Sequence, residues 1–280
     1  MAITVNTNMQ AMRIQQNLSN ATDRMDTAME RMSSGSRINQ AKDDAAGFAV
    51  ATSLKTIISG SQVASNNVAM GNDVLSTVEG TLDVVERNLA RIRDLTEQAA
   101  NGTYSEGDLS AIASEVQARL DQIDALANSA SFNGKKLLDN SQSLGITLQV
   151  GTSSSDSLQL SGSIFQSINI TGIKTDLAAS ITAGVSSTIA GYLDSVDSVL
   201  NDVVTRITDI GAFENRLEAV LDGLEVQMTN MSSALSTIQD ADVAKESSAY
   251  VQEQILQSAS ATLLVQANSA PQIALTLIQG

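Results

Sequence analysis

Apolar residues recur at alternating steps of three and four along most of this chain, and that spacing restricts the fold more than any other feature. It is the pattern of helices that pack along a narrow shared seam. The first run carries the seam positions Ala11, Ile14, Leu18, Ala21, Met25, Ala28 and Met32. The spacing returns from Leu54 to Ala99 and again from Ile189 to Ile238, and Glu214 is the one charged residue at these seam positions.

Turn signals divide these helices. The stretch MSSGSRINQAKDDAAG, residues 32–47, interrupts the first run with two glycines, paired serines and several charges. Asn–Gly pairs at 101–102 and 133–134 bound a shorter helix, and Ser105 with Asp108 is typical of a helix start. Long helices therefore alternate with short connections.

The middle and the end of the chain depart from this spacing. Residues 146–150 and 158–160 alternate in polarity across a polar loop, which predicts a β-hairpin. Residues 162–184 are rich in Ser, Thr, Ile and Gly and show no clear period, so we predict irregular structure there. Pro271 is expected to disrupt the last helix.

Composition excludes several classes of function. Sixteen basic against thirty-one acidic residues give a net charge of −15, which disfavours nucleic acid and anionic membranes as partners. The chain contains no cysteine and no histidine, so it has no disulfide and no HExxH metallopeptidase motif. It also lacks a calcium loop and a phosphate-binding glycine loop. We expect a protein that is not an enzyme and needs no cofactor or metal.

The order of elements is nearly symmetric along the chain: short helix, break, long helices, hairpin, long helix, break, short helix. An antiparallel return would bring the chain ends together. We therefore predict a mainly α fold of long antiparallel coiled-coil helices with a small β-hairpin region, arranged as a discontinuous two-domain rod. One domain comprises 1–44 plus 239–280 and the other comprises 45–238, with the hairpin near 144–162 and a short variable segment near 162–184.

Several stretches, in the right order, carry a resemblance to a known family. They are VNTN at residues 5–8, ERMSSGSRINQAKDDAAG at 30–47, RDLTEQAANGTYS from Arg93, FNGKKLLD, LQVG and the C-terminal ILQSASATLLVQAN. With these stretches the chain resembles bacterial flagellin, in a short form that lacks large variable outer domains. The family pattern has an aliphatic residue where this chain has Met32, and this chain has Ser36 before Arg37.

The resemblance implies that 1–44 plus 239–280 form an inner axial domain of a filament and that 45–238 form the outer domain. The stretch between them would be an inter-domain connector, with an ordinary inter-helix loop as the alternative. Its residues are Gly35, Arg37, Lys42, Asp43, Asp44 and Gly47. The assembly seam of the inner domain would be the seven positions of the first run together with Val251, Ile255, Ala259 and Leu263.

The inner seam is rich in alanine and buries little area, so we predict that the inner domain is largely disordered in the monomer and orders when neighbouring subunits complete its core. The resemblance implies a helical homopolymer in the extracellular flagellar filament. It also implies export through a type III apparatus without a cleaved signal peptide; no such peptide is visible in the sequence. Further implied partners are a flagellin chaperone, the hook-associated junction proteins and the filament cap.

A surface patch is also implied. In flagellins that the vertebrate flagellin-sensing Toll-like receptor detects, similar residues form the recognised surface, and here they would be Arg91, Leu95, Gln98 and Glu115. A plain packing surface within the filament is the alternative for this patch. For the whole chain, the alternatives to flagellin are a hook–filament junction protein and a non-filament coiled-coil interaction module. Growth into long tubes would separate flagellin from both.

Overall fold

The computed structural model describes residues 7–279, with side chains to residue 269. The backbone is mainly helical, which confirms the predicted fold class of long helices with a small β-hairpin region. The helices are α1 (Met9–Ser34), α2 (Ala45–Ala100), α3 (Glu106–Ser129), α4 (Thr171–Ala183), α5 (Ser186–Gln239) and α6 (Val243–Gln279). The strands are β1 (Ser131–Phe132), β2 (Lys135–Lys136), β3 (Ile146–Gln149) and β4 (Ser157–Leu160).

Local sequence signals account for the helix ends. The side chain of Asn8 accepts a hydrogen bond from the Ala11 N–H and caps the start of α1. The residue that follows the end of this helix, Gly35, lies in the left-handed region with φ 69°. Ser105 and Asp108 form a reciprocal capping box at the start of α3, as their spacing predicts. Short polar side chains and one glycine thus set these boundaries.

Contacts divide the chain into two compact units, and α2 and α5 each run from one unit into the other. The first unit contains the residues up to Ile58 and those from Thr229 onward, and the second is Ser59–Met228. These limits lie inside the long helices, whereas the domain boundaries predicted from the sequence lie at the helix ends, after residues 44 and 238. The predicted division at those ends stays a prediction.

The second unit has an extended aliphatic core formed along α2, α3 and α5. The side chains in this core are those at the three-four positions, because residues with this spacing lie on one side of a helix and face the neighbouring helices. Fully buried examples are Leu75, Val78, Leu82, Val85, Leu89 and Ile92 on α2, Val116, Leu120 and Ile123 on α3, and Val196, Val203, Ile210 and Leu217 on α5.

Two antiparallel hairpins lie in this unit. Strands β3 and β4 pair from Ile146 opposite Leu160 to Gln149 opposite Ser157, which confirms the predicted hairpin. Strands β1 and β2 flank the predicted Asn–Gly turn at 133–134. Gly71 interrupts the α2 seam where β3 packs on the helix, since a Cβ there would lie 2.3 Å from Leu148 Cδ1.

Residues 162–184 are ordered, so the prediction of irregular structure is wrong. A 3₁₀ turn, Gly162–Phe165, and helix α4 occupy most of this segment. Phe165 and Leu177 are fully buried in the core of the second unit. The segment is too short for a long periodic pattern, and its order comes from burying this apolar surface against the other helices.

The expected disruption at Pro271 is also wrong, because the backbone of α6 is helical from Val243 to Gln279. A proline removes one backbone hydrogen bond and can bend a helix without ending it.

Glu214, the exception in the α5 seam, lies beside α2, where the Ser76 hydroxyl donates a hydrogen bond to it at 3.4 Å. Burial, followed by the negative charges of Glu214 and Asp83, raises the pKa of Glu79 on α2. The folded state therefore favours protonated Glu79. Its contribution to stability is present below the pKa of an unfolded glutamate and is lost as the pH rises through the raised folded pKa.

Glu79→Gln is therefore expected to stabilise the protein at neutral pH by about 0.5 kcal/mol, the scale of a like-charge contact. The gain should shrink at acidic pH, where Glu79 is already protonated. Thermal unfolding midpoints across this pH range measure the effect. Glu225→Gln, at an exposed position on α5, is the matched control. Equal midpoints for the two variants at neutral pH would contradict this account.

Candidate assembly surfaces

Helices α1 and α6 run antiparallel in the first unit and share a narrow contact. Ala21 and Ala28 of α1 and Ala267 of α6 are its buried apolar residues. The other seam positions predicted on α1, namely Ala11, Ile14, Leu18, Met25 and Met32, are half-buried. Because alanine offers little apolar area, this pair buries only a thin strip.

Polar contacts set the offset between the two helices. Arg24 pairs with Glu253 and Arg31 pairs with Glu246, each at 3.5 Å. These ion pairs are seven residues apart on both helices, so they recur after two turns on the same side. Two hydrogen bonds extend the same offset toward the end of α6: the Gln257 amide to the Thr22 hydroxyl, and the Asn8 amide to the Ala267 carbonyl.

Arg31→Glu is expected to weaken the α1–α6 pair by about 1–2 kcal/mol, because it places two carboxylates together where both side chains are largely covered. The exchange Arg31→Glu with Glu246→Arg should recover most of that loss. The measurement is the temperature at which assembled protein loses its helical circular dichroism signal. If the double variant is no more stable than Arg31→Glu, the ion pair does not set the offset.

The C-terminal half of the predicted seam does not form part of the α1–α6 contact. Val251, Ile255, Ala259 and Leu263 do not face α1: all four are exposed, with Ile255 at 63% and Leu263 at 56%. The side of α6 that contacts α1 instead carries Glu246, Glu253, Gln257 and Leu264 among its more covered residues.

Helix α6 therefore has two sides of different composition, one facing α1 and one exposed. By helical period, Val251, Ile255 and Ala259 lie roughly opposite the α1-facing side, and Leu263 lies about a quarter-turn from it. Periodicity alone predicts that the more aliphatic face of α6 packs against α1. In the structure the more polar face packs there, because its charged residues pair with those of α1. We call the exposed aliphatic face, Val251, Ile255, Leu256, Ala259 and Leu263, the α6 stripe.

The connector between α1 and α2 is tied to the segment between α5 and α6. The Arg37 N–H donates to the Gln239 carbonyl at 2.6 Å, and the Ala241 N–H donates to the Gly35 carbonyl at 2.9 Å. The Arg37 guanidinium adds a hydrogen bond to the Ile238 carbonyl at 2.7 Å. The two breaks in the helical pattern thus pair with each other.

Two aspartates organise the second half of the connector. Asp43 accepts hydrogen bonds from the backbone N–H groups of Gln40 and Asn39, and the Gln40 bond is the main cause of its lowered pKa. Asp44 accepts a hydrogen bond from the Gly47 N–H at 2.9 Å at the start of α2. Lys42 is exposed.

Close packing favours glycine at position 47, because the Asp44 and Ile38 side chains would have to move to admit a larger residue. A Cβ there would lie 2.4 Å from an Asp44 carboxylate oxygen and 2.7 Å from Ile38 Cδ1. Ile38 is 2% exposed and anchors the connector, a role that the sequence reasoning missed. The available signal was that Ile38 is the only large aliphatic residue between Met32 and Gly47.

The predicted receptor patch is only partly at the surface. Arg91 and Glu115 form an ion pair at 3.2 Å between α2 and α3, and hydrogen bonds from Arg91 and then Arg119 lower the pKa of Glu115. Gln98 is exposed and donates a hydrogen bond to the Tyr104 hydroxyl.

Leu95 is 2% exposed and packs in the core, so the structure corrects its place in the patch. The helix buries both Leu95 and the adjacent Thr96, which widens the α2 seam beyond the strict three-four positions. The surface part of the patch is therefore Arg91, Gln98 and Glu115.

Across residues 7–279, no helix is long and apolar enough to cross a membrane. Among the side chains that the structure describes, no group of three acidic, histidine or cysteine residues is placed to hold a metal ion.

Comparison with known families decides the identity. A model described as the bacterial flagellin N-terminal helical region matches residues 5–143, and one described as the bacterial flagellin C-terminal helical region matches residues 193–278. The chain belongs to the bacterial flagellin family. This flagellin is a structural subunit of the extracellular flagellar filament, in which it assembles with other copies of itself.

Relatives match the flagellin over its whole length. It is 36% identical to a flagellin of Halalkalibacterium halodurans over 276 residues, covering 98% of this chain and 99% of the relative. It is 33% identical to a flagellin of Bacillus subtilis over 306 residues, with 98% and 99% covered. Filament-core proteins of Treponema maltophilum are also similar; one is 32% identical over 282 residues, with 98% of this chain and 99% of that protein covered.

Solved structures share the fold at lower identity. A flagellar hook-associated protein described as putative, from Vibrio parahaemolyticus, has a TM-score of 0.62 at 18% identity and covers 71% of this chain and 100% of its own. Bacillus cereus FlgL has a TM-score of 0.51 at 21% identity, with 67% and 98% covered. At these identities the likeness concerns the fold alone.

Proposed function

We propose that this flagellin grows into a filament when the α6 stripe of each copy packs against helices of neighbouring copies. The observation that carries this proposal is the exposure of Val251 and Ile255 on the side of α6 away from α1, with exposed Leu263 at the edge of that side. An aliphatic face of a helix is normally covered by a neighbouring element. The pairing partner is another copy of the chain, since a flagellin filament is built from repeated subunits.

The energetics favour folding of the inner region on assembly. The α1–α6 contact rests on alanines and a few polar pairs, whereas covering the α6 stripe would add roughly 1.5–3 kcal/mol for each large aliphatic side chain. The inner domain, residues 1–44 plus 239–280, is therefore largely disordered in the free monomer and orders when neighbours supply the missing contacts. Of the VNTN motif in this domain, residues 5 and 6 lie outside the described part of the chain.

The connector gives this domain a defined attachment to the outer domain, 45–238. Backbone hydrogen bonds join it to residues 238–241, and Ile38 is buried within it. These contacts hold the α1–α2 connection against the α5–α6 connection. Gly35, Arg37, Asp43, Asp44 and Gly47 support that geometry, and exposed Lys42 is left to contact a neighbouring subunit.

Subunits joined by such unlike surfaces form a heterologous assembly that does not close, so the filament can reach any length and transmit motor torque. Before assembly the chain leaves the cell through a type III apparatus without a cleaved signal, aided by a flagellin chaperone. Hook-associated junction proteins and the filament cap bound the filament. In shed monomer, Arg91, Gln98 and Glu115 present a surface to the vertebrate Toll-like receptor.

Electron microscopy of purified monomer before and after addition of ammonium sulfate tests the proposal, since this salt strengthens apolar burial. Long tubes of uniform diameter, with a gain of helical circular dichroism, are expected. Short collars would indicate a junction protein, and small discrete oligomers would indicate a coiled-coil module. Either outcome would overturn the filament proposal.

A further inference from the structure

The large apolar side chains that α1 exposes are all methionines. Met9, Met12 and Met29 are 55%, 57% and 58% exposed. The aliphatic Ile14 and Leu18 of the same helix are half-buried toward α6. In the described part of α1, the accessible apolar surface is therefore made of thioethers, which are oxidised far more readily than aliphatic groups.

These methionines lie at the same levels along the α1–α6 pair as exposed apolar residues of α6. The hydrogen bond from Asn8 to Ala267 places Met9 and Met12 level with the C-terminal part of the described α6 surface, where Leu263 and Val265 are exposed. At the other end of the pair, the Arg31–Glu246 contact places Met29 level with the start of the α6 stripe near Val251. A neighbouring copy broad enough to span both helices at these levels would contact α1 as well as α6.

We propose that Met9, Met12 and Met29 form an oxidation site through which a two-electron oxidant, such as hydrogen peroxide, blocks assembly of free flagellin. This inference rests on the proposed function, because it needs these side chains to become covered between subunits. The filament should protect them from the oxidant, while the monomer should not.

The reaction is balanced with peroxide alone. A sulfur lone pair attacks one peroxide oxygen, an S–O bond forms and the O–O bond breaks. The leaving hydroxide takes up the remaining peroxide proton and becomes water. The sulfur is oxidised by two electrons to the sulfoxide, and the peroxide is reduced by two electrons.

The sulfoxide changes what the interface has to cover. A thioether is flexible and apolar, so it can fill irregular gaps between subunits. The sulfoxide oxygen is a polar acceptor, and burying it without a donor is unfavourable. We expect oxidation of all three residues to raise the monomer concentration required for polymerisation by at least roughly tenfold.

The test treats monomer and preformed filaments with hydrogen peroxide and locates each sulfoxide by peptide mass spectrometry. In the monomer, whose inner domain is disordered, Met9, Met12 and Met29 should oxidise at least as readily as Met25 and Met32. In filaments the first three should be protected. Oxidised monomer should polymerise poorly, and reduction by a methionine sulfoxide reductase should restore polymerisation.

After the same treatment, a triple variant with leucine at positions 9, 12 and 29 should polymerise at a lower concentration than the oxidised natural chain. Met70→Leu is the matched control, because Met70 is 51% exposed but lies in the second unit, and it should remain sensitive to peroxide. If the triple variant fails to assemble even when untreated, the test is whether the reductase restores polymerisation of the oxidised natural chain.

The inference is overturned if monomer with sulfoxide at all three positions polymerises at an unchanged concentration, or if reductase treatment restores nothing. It is equally overturned if Met70→Leu protects and the triple variant does not. Failure of untreated, unoxidised chain to form tubes would instead overturn the proposed function, so the two failures are distinguishable.

Discussion

Replacement of Leu263 by aspartate is expected to raise the concentration required for filament growth by roughly a hundredfold while the free chain keeps its folded second unit. Leu263 is 56% exposed on the α6 stripe, so the change disturbs little within the monomer. In the filament it would bury a charge where an aliphatic side chain is needed. Sedimentation of polymer from a series of monomer concentrations measures the effect.

The control for this prediction is Gln254→Asp, which adds the same charge on an exposed part of α6 outside both the stripe and the α1 contact. It should polymerise nearly normally. Met25→Asp should also impair assembly, and it additionally damages the α1–α6 contact. Unchanged polymerisation of Leu263→Asp would count against the assembly role of the α6 stripe.

Phe165→Ala is expected to destabilise the second unit by about 3–5 kcal/mol, the usual cost of removing a fully buried phenylalanine. Phe165 is 0% exposed and belongs to the segment first expected to be variable and irregular. Urea unfolding of the full chain, followed by circular dichroism, measures the loss.

Leu144→Ala is the matched control for Phe165→Ala, because Leu144 is 87% exposed on a loop of the same unit. It should change the free energy of unfolding by less than about 0.5 kcal/mol. If both variants unfold at the same urea concentration, residues 162–184 do not complete the core.

Long-range contacts explain why the sequence pattern of residues 162–184 does not reveal their ordered structure. Ile173, Leu177 and Ile181 recur every four residues, which is a helical signal, but the run is short. Lys174 adds ion pairs to Asp121 and Asp124 of α3, and buried Arg206 of α5 binds the carbonyls of Gln166 and Ser167. None of these partners is close in sequence.

Contacts between distant residues also decide the assembly surfaces. Apolar spacing placed the predicted α1 positions on one side of the helix, and the structure buries or half-buries all of them. Spacing could not decide which of two faces of α6 packs within the chain, because both contain aliphatic residues. That choice depends on Glu246 and Glu253 meeting Arg31 and Arg24 across the pair.

The long helices, the β3–β4 hairpin, the turns and the flagellin resemblance follow from the sequence, because periodicity, capping and motifs are local properties of the chain. Tertiary structure alone decided the burial of Leu95, the order of residues 162–184 and the pairing of the connector with residues 238–241. It also left the aliphatic side of α6 exposed. These features depend on which distant surfaces meet, and a pattern of neighbouring residues carries no record of that.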